Sequence, residues 1–124
     1  MAAYEFSVDV RTQYLAEQSD PAQGNYLFTY TITIKNTGSV AAQLISRHWV
    51  ITDASNRLEE VRGLAVVGHQ PLLKPGELFE YTSGTQLATA TGSMYGEYFC
   101  VAEDGHRFEV PIPEFVLSLP RTLH

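Results

Sequence analysis

The chain has 124 residues, of which 44% are hydrophobic and 18% charged, an ordinary globular balance that argues against disorder. Eight lysines and arginines against fourteen aspartates and glutamates leave a formal charge of −6. That balance disfavours duplex nucleic acid or an anionic membrane as the main partner, because both need a cationic footprint. A single cysteine excludes an internal disulfide, and no apolar run is long enough to span a bilayer. The N-terminal stretch M-A-A-Y-E-F-S-V-D-V lacks the basic and apolar regions of a leader, so the expectation is one domain over residues 1–124 of a cytoplasmic protein.

The dominant pattern is alternation. Phe6, Val8, Val10, Thr12 and Tyr14 share one face of a first strand, with Glu5, Ser7, Asp9, Arg11 and Gln13 on the other. Asp20 to Asn25 supplies turn chemistry. Tyr26, Phe28, Tyr30, Ile32 and Ile34 then line a second strand that ends at Asn36-Thr37-Gly38. A third strand runs from Gln43 to Thr52 with apolar residues on both faces; Ile45, Trp49 and Ile51 are placed inward. A fourth, less regular stretch covers Leu58 to Val67, and His69-Gln70-Pro71 and Lys74-Pro75-Gly76 make the next turns. Glu77 to Thr82 is the fifth strand, Thr85 to Gly92 a small polar connection, and Met94 to Glu103 the sixth strand. The seventh runs from His106 to about Leu117, and its Pro111 and Pro113 share a parity that suits the edge of a sheet.

Seven short strands with regular turns and no helical period predict an all-β sandwich of about seven antiparallel strands, immunoglobulin-like or fibronectin type III-like. Trp49 on the third strand and Tyr98 two residues before Cys100 on the sixth are landmarks of that architecture, without the partner cysteine on the second strand. Tyr98 is expected to act as a tyrosine corner over residues 85–92.

The most suggestive chemistry lies in V-R-G-L-A-V-V-G-H-Q-P, residues 61–71. Gly63 and Gly68 have the outer spacing of a dinucleotide fingerprint, with Ala65 in the middle place. That motif needs a helix whose N-terminus faces the phosphates, and a β-prone run followed by Pro71 offers none. A P-loop also fails, because Gly68 is followed by His69 and Gln70. Two readings stand side by side. The glycines permit a bulge and a tight strand end, or Arg62, Gly63, Gly68 and His69, with Lys74 nearby, offer cationic and N–H donors to an anion.

Metal and nucleophile chemistry have less behind them. His48, His69, His106 and His124 show no paired spacing, and structural zinc needs about four ligands in pairs. Glu59-Glu60 and Glu103-Asp104 read as solvated ends of elements. Cys100 sits in the apolar run Tyr-Phe-Cys-Val, which favours a buried, inert thiol. Arg47 beside Trp49 is expected to stack on an aromatic ring or to pair with a carboxylate, structural in either case.

Five ordered motifs, R-H-W-V-I-T-D (47–53), V-R-G-L-A-V-V-G-H-Q-P (61–71), L-K-P-G-E-L-F-E-Y-T-S-G (73–84), G-S-M-Y-G-E-Y (92–98) and I-P-E-F-V-L (112–117), make the whole chain resemble the ApaG family. The resemblance implies a fibronectin type III-like sandwich and no established enzymatic activity or cofactor. Bacterial members stand alone, and related domains end some eukaryotic F-box proteins and a DNA-polymerase-interacting protein, which implies a protein-interaction role. The resemblance also implies a link to cobalt resistance, magnesium efflux and genes for dinucleoside tetraphosphate breakdown. A glycine-rich segment proposed in the family to contact pyrophosphate-containing ligands maps onto Gly63, Ala65 and Gly68, where Ala65 departs from the usual glycine. The resulting expectation is a non-enzymatic interaction module that binds another protein, or a second copy of itself through an edge strand. The alternative is a binder of nucleotides or dinucleoside polyphosphates through the Gly63–Gly68 segment. A hydrolase of such compounds would need an acid, a base and an electrophile, and no residues present themselves for those roles.

Overall fold

Every alternating run of the sequence becomes a strand, and the strands sort into two facing sheets. The structure is a computed structural model and describes residues 2–120; His124 lies outside the described residues. In chain order the strands are β1 (Phe6–Tyr14), β2 (Tyr26–Asn36), β3 (Ala42–Asp53), β4 (Leu58–Leu64), β5 (Leu72–Leu73), β6 (Leu78–Leu87), β7 (Thr91–Ala102) and β8 (Arg107–Ser118), with two short 3-10 turns between β1 and β2. The smaller sheet has the order β1-β2-β6 and the larger the order β4-β3-β7-β8, with β5 added on β3. Every pairing is antiparallel. This is an immunoglobulin-like or fibronectin type III-like β-sandwich. Among the described residues, no helix is long and apolar enough to cross a membrane.

The inward sets of the two sheets meet in an aromatic-rich core. Trp49 packs edge-on against Tyr30 and Phe115, with ring centroids 5.4 and 5.9 Å apart, and against Tyr98 at 6.4 Å. Cys100 is buried and unpaired, and burial pushes its thiol up to about 12. One lateral side of the sandwich is closed, where Phe6 of β1 meets Phe108 of β8 edge-on and Tyr4 donates to Asp104. The opposite side, between the free edges of β4 and β6, stays open as a cleft.

The structure departs from the sequence expectations at five points. The third strand places Leu44, not Ile45, in the core, because a bulge between Leu44 and Ser46 adds one residue and restores the parity of Trp49 and Ile51. The fourth strand ends at Leu64 rather than Val67, and β5 is an eighth strand between two predicted turns. The connection at 85–92 shrinks to residues 88–90, since β6 runs on to Leu87 and β7 begins at Thr91. Tyr98 is not a corner over that connection; its hydroxyl meets the Tyr81 hydroxyl in the buried interior. The edge assignment of the last strand holds, with β8 bounding the larger sheet and Pro111 opposite Glu97.

Candidate functional site

The hairpin β3–β4 decides what the glycine-bearing segment does. Its turn closes through Asp53 N–H onto Arg57 O, and the resulting register sets Arg47 opposite Gly63 and His48 opposite Arg62. Arg47 therefore points between the sheets, where it neither stacks on Trp49 nor pairs with a carboxylate. Its Nη1 donates to the carbonyl oxygens of Leu64 and Ala65 at 2.9 and 2.8 Å. A Cβ at position 63 would lie 2.8 Å from that Nη1 and 3.1 Å from Cζ, so the glycine makes room for the guanidinium.

The two remaining positions of the apparent fingerprint answer to backbone shape. Ala65 has φ 68, which interrupts the alternation and turns the next residue, Val66, into the core at 0% exposure. Val66 and His69 then exchange N–H to O bonds of 2.8 and 2.9 Å around Val67 and Gly68, whose φ values are 49 and 80. Positive φ at both central residues is the type I′ hairpin pattern, which favours Asn-Gly. A β-branched valine is strained there, and its side chain is largely exposed at 57%. Val67→Asn is thus expected to raise stability by about 1 kcal/mol, roughly 3–5 °C in Tm. A thermal melt that moves down would refute the strain at this turn.

The four candidate anion contacts diverge. Arg62 lies on the outer face of the larger sheet, its Nη2 3.6 Å from Glu60 Oε2. Gly63 faces inward against Arg47. Gly68 is at the tip of the turn, and His69 leans on Phe79 of the smaller sheet with centroids 5.6 Å apart. Arg62 and Gly63 line a shallow groove of about 460 Å³ with Arg47, His48, Glu97 and Phe99; Gly68 and His69 are not part of it.

That groove exposes a group the sequence reading passed over. His48 sits between two carboxylates, with Nδ1 2.7 Å from Glu97 Oε1 and Nε2 3.2 Å from Glu60 Oε2. The hydrogen bond to Glu97, then that to Glu60, outweigh desolvation and raise the imidazole above its ordinary value. Strand pairing brings these residues together from positions 48, 60 and 97, so no local spacing betrays them. Among the described residues, no cluster of three or more ligands is arranged to hold a metal ion.

The two outer faces differ in how many apolar side chains they expose, with Leu78 the one such residue of β6 on the smaller sheet. On the smaller sheet, Thr31 and Thr82 share a hydrogen bond of 2.8 Å, Thr33 donates to Glu80 at 2.8 Å, and Arg11 pairs with Glu80 at 3.3 Å. On the larger sheet the register lines up Leu58 and Leu64 of β4, Val50 of β3, Tyr95 and Phe99 of β7 and Val116 of β8 on the outward side. Leu64 is 73% exposed, Val116 63% and Tyr95 42%.

Comparison with known proteins agrees with this architecture. The ApaG domain family matches residues 16–102. The chain is 67% identical to Protein ApaG of Ralstonia nicotianae over the full length of both, and 64% identical to Protein ApaG of Nitrosomonas eutropha over 98% of this chain and 95% of that one. A crystal structure of an ApaA protein from Bordetella pertussis superposes with a TM-score of 0.95 at 60% identity, covering 98% of each chain. The hairpin that seats Arg47 on Gly63 lies wholly within the matched span, and the chain belongs to the ApaG family.

Proposed function

We propose that the protein is a non-enzymatic interaction module that docks another protein on the outer face of its larger sheet. The observation that carries this reading is the contrast between the two faces. The smaller sheet's outer face is mostly threonine, with one ion pair and a single exposed leucine, Leu78, whereas the larger sheet's outer face, beside its own ion pairs, exposes Leu58, Leu64, Tyr95 and Val116. Charge narrows the partner. Glu60, Glu97, Glu109 and Glu114 outnumber Arg62 and Arg107 on this face, and the whole chain carries −6. A partner with apolar anchors rimmed by Lys and Arg fits, and a second copy meets like charge. The family link to cobalt resistance and magnesium efflux gives the physiological setting in which to look.

The pyrophosphate reading of the 63–68 segment has no observation of its own, since each of its three motif positions already meets a demand of the fold. Site-specific photocrosslinking in cells tests the docking reading. A crosslinkable residue at Tyr95 should capture one basic partner, capture should fall with added salt and with Leu64→Asp, and the same residue at Thr31 should capture nothing. Equal capture from both faces, or a crosslinked homodimer, would overturn it.

A further inference from the structure

The cleft between β4 and β6 holds a cation whose binding edge is unused. Arg47 Nη1 is committed to two backbone carbonyls, whereas Nε and Nη2 have no hydrogen-bond partner among the described residues. No ion pair engages them either. Every fully buried side-chain nitrogen among the described residues is satisfied, so neither of these two donors is sealed from solvent. Nε–H and the adjacent Nη2–H form the fork of a guanidinium that matches the two oxygens of a carboxylate. The guanidinium is also immobilised, because Gly63 seats it and the two carbonyls fix its plane.

The surroundings set the kind of ligand. The cleft has a volume of about 440 Å³ and is lined by the edges of the largely buried Tyr30 and Trp49, by Ile51 and Val61, and by the polar Ser83 and Thr85. Glu59 lines the opposite end, four strand positions from Gly63 and so about 13 Å away along β4. One cation at one end and a carboxylate at the other suit a ligand with a single negative charge, and disfavour a pyrophosphate. We propose that this cleft binds an organic carboxylate, its oxygens on the Nε–Nη2 edge of Arg47 and its apolar body against Tyr30 and Trp49. Arg47 also borders the groove on the docking face, but Tyr30 and Trp49 lie on the inner side of the sheet, away from Tyr95 and Leu64, so the cleft does not rest on the docking reading.

Trp49 is the single tryptophan, so its fluorescence reads the cleft directly. Titrations would use phenylpropionate, N-acetylphenylalanine as the end of a peptide, the neutral phenylpropionamide, and inorganic phosphate. Both acids should give saturable changes, with the amide weaker by at least about tenfold. Tighter binding of phenylpropionate points to a free small acid, and tighter binding of N-acetylphenylalanine to a peptide C-terminus. Arg47→Lys keeps the charge but loses the fork, and should weaken the acids by about tenfold. Thr85→Tyr should block the cleft while leaving the Arg47 clamp intact, so it decides the matter if Arg47→Lys fails to fold. An amide that binds as tightly as the acid, phosphate that competes as well as either acid, or no saturable change in the folded wild type would each overturn the proposal.

Discussion

Gly96→Ala is expected to cost more than about 4 kcal/mol, which leaves little or no folded protein at 37 °C. Gly96 is buried on β7 opposite Trp49. A Cβ built there would stand 1.9 Å from the His48 carbonyl oxygen, 2.9 Å from its carbonyl carbon and 3.2 Å from Trp49 Cα. Those are backbone atoms of β3, so no rotamer change relieves the clash. Relief requires the two central strands of the larger sheet to part, and their separation is fixed by the hydrogen bonds between them. Trp49, wedged among Tyr30, Tyr98 and Phe115, leaves β3 no slack. Gly84→Ala is the matched control. It sits on exposed β6, its Cβ would come no closer than 3.4 Å to Phe28 O, and a strand glycine replaced without strain changes stability by less than about 1 kcal/mol. Urea unfolding of the two variants checks the contrast. A cooperative transition for Gly96→Ala within about 1 kcal/mol of wild type would show that β3 and β7 can separate freely.

The parts of this fold that could be read from the sequence are those where one face is dry and the other wet. The alternations through Phe6–Tyr14 and Tyr26–Ile34 belong to strands with one face on the core and one on solvent, and they matched to within two residues. Residues 85–87 failed that test because β6 borders the open cleft. Its inward positions Ser83 and Thr85 meet water rather than core, so the apolar signal lapses before Leu87 closes the strand. Alternation alone puts Ile45 inward, because a bulge costs one residue of register and leaves no mark on composition. The site was less legible still. Arg47 and Gly63 are strand partners across a hairpin, so their contact follows from the register set by the turn at 53–57, not from either residue's local context. The spacing of Gly63, Ala65 and Gly68 looked like a phosphate motif because both kinds of loop need residues without a Cβ or with positive φ. Here the first admits a guanidinium, and the other two turn the chain.

Asn36→Ala is expected to cost about 3–4 kcal/mol, although no apolar packing is at stake. Asn36 is the sole buried polar residue among those described, at 1% exposure, and its amide ties three segments together. Nδ2 donates to Val40 O and to Leu73 O, both at 2.9 Å, and Oδ1 accepts from Gly38 N–H at 2.9 Å. Truncation removes three bonds worth about 1 kcal/mol each and leaves backbone groups facing an unfilled space. The bond to Leu73 adds to the backbone bonds between Asn36 and residues 76–77 that hold the β5 segment at the end of β2, so loosening should concentrate at 72–77. Asn36→Asp sharpens the test, since it keeps the shape and the acceptor but replaces the donor with a carboxylate aimed at two carbonyl oxygens. Burial and those oxygens raise the variant's carboxyl pKa in the folded state above its unfolded value of about 3.9. The neutral acid still donates one bond, so relative to wild type this variant loses least near pH 4. Its deficit then grows as pH rises through the folded-state pKa, because the unfolded chain releases the proton first. Urea midpoints for both variants at pH 4 and pH 7 give the answer. A flat pH profile for Asn36→Asp, together with a loss below about 1 kcal/mol for Asn36→Ala, would mean that water replaces the amide and that the three segments hold without it.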